Sequence, residues 1–235
     1  MMFSYADALR GDEKRAYHAM SGAFDSLARS VRVPRLPRDR LNEIYTMVKY
    51  DDPTLFYLSS PSFCLDPRAG HCELIPTYTF PVREIPAMRT ALDTRMRRIL
   101  SGAETLSEPE KVRFVWRFLT ETVTYERAKR KYSHEIYGVL SHGIGVCEGI
   151  AKTFKALLDR LSVPSVVVLG DLNEEGTRHA WNLIRLYGTW RHYDATFDLD
   201  RVKEGKKPRY FGVADDSIYS DHEPSVFPIP AAPDR

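Results

Sequence analysis

Cysteine is scarce in this sequence: there are three in 235 residues. So sparse and odd a count excludes a disulfide framework and leaves at least one thiol without a partner in the chain. Long hydrophobic runs are missing as well. A stretch such as Val166-Val167-Val168-Leu169 falls far short of the roughly 18–20 residues that cross a bilayer, so no membrane span is expected. Nor is there an excess of either charge: 34 basic and 32 acidic side chains give a formal net charge of +2. Such a chain has no overall field to draw it to nucleic acid or to an anionic membrane. Internal repeats and low-complexity tracts are absent, and Met1–Asp7 carries no apolar leader segment, from which a cytoplasmic location is expected. What is present, 43% hydrophobic and 28% charged residues, suits one large globular domain or two small ones.

Apolar spacing predicts most of the helices. Tyr17, Met20, Phe24 and Leu27 recur at three and four residues within 12–30, and Leu41, Ile44, Tyr45 and Val48 do so after a cap at Asp39. Ile85, Met88, Leu92, Met96 and Ile99 mark a third helix that ends at Gly102. Ser107-Glu108-Pro109-Glu110 is a capping box opening a fourth, with Val112, Val115, Trp116 and Leu119 on its apolar face. Between the second and third, 55–58 and 74–80 read as short strands around Cys64 and Cys72. Residues 127–145, which begin with four basic residues in five, read as a surface loop.

After Cys147, Ile150, Phe154, Leu157, Leu158 and Leu161 describe a helix that stops before Pro164. Residues 165–170, 179–186 and 189–197 follow as three strands, the last two joined tightly through Tyr187-Gly188. A helix followed by an antiparallel meander is an α+β arrangement. Beyond Asp200 a solvated loop and an extended Pro-rich end, 224–233, are expected.

Gly143-Ile144-Gly145-Val146-Cys147-Glu148-Gly149 places a thiol at a helix start, where unpaired N–H groups and the positive end of the helix dipole favour a thiolate. The same N–H groups can bind an oxyanion formed on an attacked carbonyl. A thiol nucleophile needs a base and an orienting carboxylate. His179 and Asp194, 32 and 47 residues after Cys147, stand on neighbouring predicted strands and can face each other. Taken singly, a cysteine at a helix start or a histidine on a strand is more often structural than catalytic.

Taken together, Gly145-Val146-Cys147-Glu148-Gly149, His179-Ala180-Trp181-Asn182 and Trp190-Arg191-His192-Tyr193-Asp194-Ala195-Thr196-Phe197-Asp198 resemble the transglutaminase-like (transglutaminase core) superfamily of papain-like thiol enzymes, most of all its bacterial stand-alone members. The likeness is strong over 108–200 and weaker over 210–222. It implies a papain-like α+β fold with a nucleophile helix packed on an antiparallel sheet. The triad it implies is Cys147, His179 and Asp194, acting through a thioacyl-enzyme on a peptide or carboxamide bond. Tyr137 is the candidate second oxyanion donor, and Trp181 the aromatic expected to border the substrate. Glu148-Gly149-Ile150 departs from the Gln-Gly-Tyr or Ser-Gly-Tyr common in relatives, which bears on substrate selection and not on the triad. No acidic cluster of the kind that binds calcium in animal transglutaminases is present, so neither a calcium requirement nor any other cofactor is expected.

The remaining candidates are weaker. Cys64, His71 and Cys72 lack the second pair that a closed zinc site needs. His142 shares a loop with the nucleophile instead of facing it, and Arg127-Lys129-Arg130-Lys131 has no aromatic platform for nucleic acid. The expectation is a helical N-terminal extension with a short β excursion, 1–105, packed on a catalytic core, 106–235. The core would act as a cysteine-dependent amidase, peptidase or acyltransferase on a peptide or protein. The alternative is a binding module that keeps the fold without turnover. Oligomeric state is not readable from the sequence.

Overall fold

A computed structural model describes residues 3–64, 70–126, 130–172, 177–224 and 227–232. Its contacts divide the chain into two compact units, Ser4–Thr90, and Ala91–Arg235 with Met1–Phe3. The helix that crosses this division belongs to the second unit from Ala91 onward, where Asp93 pairs with Arg160.

In the first unit α1 (Gly11–Asp25) buries Ala16, Tyr17, Met20 and Phe24. α2 (Arg38–Asp51) buries Leu41, Ile44, Tyr45 and Val48, the stripes that the spacing predicts. Asp39 lies in the first turn of α2 and the cap position is Pro37. Here the β excursion differs from expectation. It is a three-stranded antiparallel sheet of β1 (Val31–Pro34), β2 (Ser62–Cys64) and β3 (His71–Ile75) in the order β1-β3-β2. Residues 55–58 pair with 74–80 as an isolated Leu58–Tyr78 bridge and not as strands of that sheet, with Thr79 N–H donating to Tyr57 O at 2.8 Å. Pro34 occupies the last rung of the edge strand β1, opposite His71, where a missing N–H is tolerated.

α3 (Ile85–Leu100) leads into the second unit. α4 (Glu108–Thr122) starts at the predicted capping box, Glu110 accepting from Ser107 N–H at 2.9 Å. The expected loop 127–145 is more ordered than its polarity suggests. After β4 (Thr124–Tyr125) it holds a 3-10 turn, Lys131–His134, then α5 (Ile136–His142) and β5 (Ile144–Gly145), and β5 pairs in parallel with β4. Gly143, at φ 67°, ends α5 in the left-handed conformation. Arg127 and Lys129 lie outside the described residues.

α6 (Cys147–Arg160) packs on β6 (Ser165–Leu172) and β7 (Thr177–Leu186). Asn182 on β7 fixes helix to sheet by donating to Ala151 O at 2.9 Å. β8 (Thr189–Tyr193) returns from β7 through Tyr187 and Gly188, both at positive φ as a tight hairpin requires. The predicted strand to Phe197 stops at Tyr193, because Asp194 caps a new helix, α7 (Ala195–Lys203), accepting from Thr196 N and Phe197 N. The C-terminal part is also structured. β9 (Phe211–Val213), α8 (Asp215–Ile218) and β10 (His222–Pro224) complete an antiparallel sheet of order β10-β6-β7-β8-β9. Ala232 is buried and bonded through both its N–H and its C=O to Asp215. Among the described residues no helix is long and apolar enough to cross a membrane.

Candidate active site

Cys147 is the first residue of α6 and is half-buried. The chain entering it is pinned from behind: Val146 N–H donates to Ser133 O at 2.9 Å, and a Cβ on Gly149 would lie 2.3 Å from that same oxygen. Only glycine lets the 3-10 turn press so close to the helix start. The Cys147 N–H precedes the first backbone bond of α6, from Ile150 N to Val146 O, so it belongs to the helix-start donors that can face an anion.

Beneath this turn lies a compact ion network. Lys152, fully buried, bonds Glu135 at 3.0 Å and Glu148 at 2.7 Å, and Glu148 also meets His134 Nδ1 at 3.0 Å. Burial pulls the Lys152 ammonium toward neutrality, but Glu135 and Glu148 outweigh it and hold its pKa above the ordinary value.

The two-residue period of β7 puts His179 and Trp181 on one face, together with His192 of β8. The Cys147 side chain is one of the groups that push the His179 pKa up. His179 Nε2 lies 2.6 Å from Asp194 Oδ2, which leaves Nδ1 for the sulfur. Asp194 is completely buried yet fully satisfied. Oδ1 accepts from Thr196 N at 2.9 Å and Phe197 N at 3.2 Å, while Oδ2 faces two imidazoles, those of His179 and of His222 at 3.1 Å. Desolvation would raise its pKa. The His179 charge and bond and the His222 contact hold it well below the usual carboxylate range. His179 responds in the opposite sense: burial disfavours its cation, but Asp194 and then Cys147 push its pKa up to about 10.

The rings around His179 hold it in place. Trp181 stacks on it with centroids 6.1 Å apart, Phe197 meets it edge-on at 5.1 Å, and His222 lies at 5.3 Å. Trp181, expected beside substrate, is only 1% exposed and forms the rear support of the imidazole. A Cβ on Gly170 would come within 2.5 Å of its ring. Its Nε1–H donates to His192 Nδ1 at 2.9 Å, which fixes His192 as the tautomer that donates from Nε2 to Asp215 at 2.8 Å. Burial then lowers the His192 pKa. Phe197, 40% exposed, is the aromatic that reaches solvent beside His179.

Tyr137 sits in the first turn of α5, where its ring meets Tyr132 and His142 at 6.1 and 5.4 Å. That aromatic group also accounts for His142. Cys72 is a buried free thiol, whereas the Cys64 side chain is outside the described residues.

Sequence reading passed over His222 and the helix-capping role of Asp194. The weak likeness over 210–222 gives His222 no role, because it reaches the site through the pairing of β10 with the edge of β6. Among the described residues His179, Asp194 and His222 are the cluster that could hold a metal ion. Their 2.6 and 3.1 Å separations suit hydrogen bonds, and ligands at about 2.0–2.2 Å around one tetrahedral ion would stand farther apart.

Residues 93–195 match the profile of the transglutaminase-like superfamily. No curated protein sequence matches the chain. Among solved structures, a TGase is 13% identical with a TM-score of 0.41, over 71% of this chain and 50% of that one. A candidate cysteine protease from Cytophaga hutchinsonii is 14% identical with a TM-score of 0.40, over 59% of this chain and 65% of the other. A candidate protease from Parabacteroides distasonis is 14% identical with a TM-score of 0.34, over 57% and 35%. The chain thus spans less than two thirds of the length of each.

Proposed function

We propose that this chain, whose residues 93–195 match the transglutaminase-like superfamily, is a cysteine-dependent amidase, peptidase or acyltransferase acting on peptide or protein carboxamides. The observation that carries this reading is the 2.6 Å contact of His179 Nε2 with the buried Asp194 carboxylate, on an imidazole whose pKa the Cys147 side chain also helps to raise.

In this reading the thiol proton already rests on His179, whose pKa Asp194 and Cys147 push up to about 10, and the Cys147 thiolate attacks the amide carbon. The C=O electron pair moves onto oxygen, where the Cys147 N–H at the start of α6 receives the charge. When the tetrahedral intermediate collapses, the C–N bond breaks and His179 returns the proton to the departing amine, leaving a thioester. Water or a second amine then attacks that thioester. His179 takes the proton of the attacking group and keeps it as the C–S bond breaks, which restores the thiolate beside the imidazolium. Asp194 stays ionised throughout, holding Nε2–H and stabilising the imidazolium. Hydrolysis is the default outcome, because water is the most abundant acceptor.

The test is a mixture of synthetic peptides incubated with the protein, with and without an added primary amine, and read by mass spectrometry. Cleavage, deamidation or amine incorporation that disappears in Cys147→Ala is expected. Product formation that persists in Cys147→Ala would overturn the reading. Peptide capture without turnover, with Cys147 alkylated by iodoacetamide no faster than free cysteine, would favour a binding module instead.

A further inference from the structure

His222 lies outside the matched segment, yet its ring is completely buried against the site. Both its nitrogens meet carboxylates: Nε2 is 3.1 Å from Asp194 Oδ2 and Nδ1 is 2.7 Å from Asp221 Oδ1. Asp194 is held as an anion, which only accepts, so Nε2 must carry the hydrogen of that bond. The oxygen it reaches is the one that binds His179. Asp221 is anchored in turn by Tyr210 Oη–H and by Arg209 at 2.9 Å. The Tyr210 segment is itself tied to α7, because Asp198 accepts from Arg209 N and Tyr210 N at 2.7 and 3.2 Å.

We propose that His222 is a positioning residue of this site, holding Asp194 Oδ2 against His179 by donating from Nε2, so that β10 and the Tyr210–His222 segment complete the catalytic unit. The proposal rests on the thiol-enzyme reading above. A hydroxyl or a water at this place could hold the oxygen, but an imidazole clamped at both nitrogens and wedged among Trp181, Phe197 and Tyr210, at 5.1, 5.3 and 5.0 Å, cannot swing away. The groups that face it are Asp194 from the start of α7, His179 from β7, His192 from β8, Tyr210 ahead of β9, and Asp221 with its Arg209 partner. Removing the donor leaves Asp194 easier to protonate. His179 then loses its anchor at a higher pH, and the acid limb of Cys147 reactivity moves up.

Two variants separate this role from mere packing. The amide of His222→Gln reaches the place of Nε2, whereas the shorter amide of His222→Asn reaches only that of Nδ1. The initial rate of iodoacetamide labelling at Cys147 is followed from pH 3 to 9 by mass spectrometry, with thermal unfolding of each variant alongside. The acid midpoint of His222→Asn is expected to rise by at least about half a pH unit, while His222→Gln stays near the wild type. Equal midpoints in the two variants, shifted or not, would overturn the proposal, as would a shift in His222→Gln alone. A wild-type measurement stands whether or not the variants fold. Long-range 1H–15N correlation of the His222 ring should find a proton on Nε2 whose resonance moves in Asp194→Asn, and an unprotonated Nε2 would overturn the proposal. Should Cys147 in the wild type label no faster than free cysteine, the thiol-enzyme reading fails, while the ring spectrum still decides the bond.

Discussion

At the scale of single residues, Asp194 does two things with its two oxygens, capping α7 with Oδ1 and bonding His179 with Oδ2. Asp194→Asn separates them. An amide oxygen still accepts the two backbone N–H groups, but the charge facing His179 is gone. Amide turnover is expected to fall by about 10²–10⁴-fold while the far-UV spectrum of α7 and its surroundings is retained. A turnover loss of less than about threefold would mean that the carboxylate plays no part in orienting the base. Gly149→Ala tests the turn behind Cys147. Its Cβ would sit 2.3 Å from Ser133 O, and a backbone oxygen cannot rotate aside as a side chain can. A loss of about 1–3 kcal/mol, seen as a melting temperature lower by roughly 3–10 °C, is expected. An unchanged melting temperature would refute that packing.

At the scale of elements, what was legible in the sequence was what depends on neighbours in the chain. The capping box at Ser107 and Glu110 locates the start of α4 to the residue. Ser107→Ala should cost about 1 kcal/mol, measurable by urea denaturation, and a cost below about 0.3 kcal/mol would show that the box is decorative. The stripes of α1, α2 and α6 were readable for the same reason, as was the Tyr187-Gly188 hairpin, whose residues both take positive φ. Elements set by distant pairing were hidden. β1 is a strand because β3 lies beside it, and β5 because β4 does. α5 is short and its flanks are polar, so no periodicity could reveal it. The end of β8 was misread because Tyr193-Asp194-Ala195-Thr196-Phe197 is as good a strand by composition as it is a capped helix start. The choice is made by Asp194, which meets the N–H groups of Thr196 and Phe197 and, through its own N–H, Tyr210 O at 3.0 Å. The site followed the same rule. Cys147, His179 and Asp194 each sit beside a local motif, whereas His222 is delivered by the register of β10 against β6, His222 opposite Leu172.

At the scale of the whole molecule, nearly balanced charge, +2 overall with a pI near 8.4, means that self-repulsion changes little between pH 6 and 9. Its pH dependence therefore rests on local pairs. His179 is raised from 6.5 to about 10 by its partners. It binds its proton more tightly folded than unfolded, so its contribution is complete below about pH 6.5 and is lost as pH climbs to about 10. The carboxylates of Asp194, Asp215 and Asp221 are lowered by their histidine, tyrosine and backbone partners against the pull of burial. Their contribution is present above the ordinary carboxylate range and is lost as pH falls below it. The two sets overlap between about pH 5 and 6.5, where the melting temperature should reach its plateau before declining toward pH 10. Asp194→Asn removes the partner that raises His179. The gap in melting temperature between wild type and variant, measured by calorimetry at half-unit steps, should be widest near pH 6 and close steadily by pH 10. A gap of constant width across that range would mean that the variant loses packing or the α7 cap and not the buried ion pair, and His179 would then have to be neutral beside Cys147 at working pH.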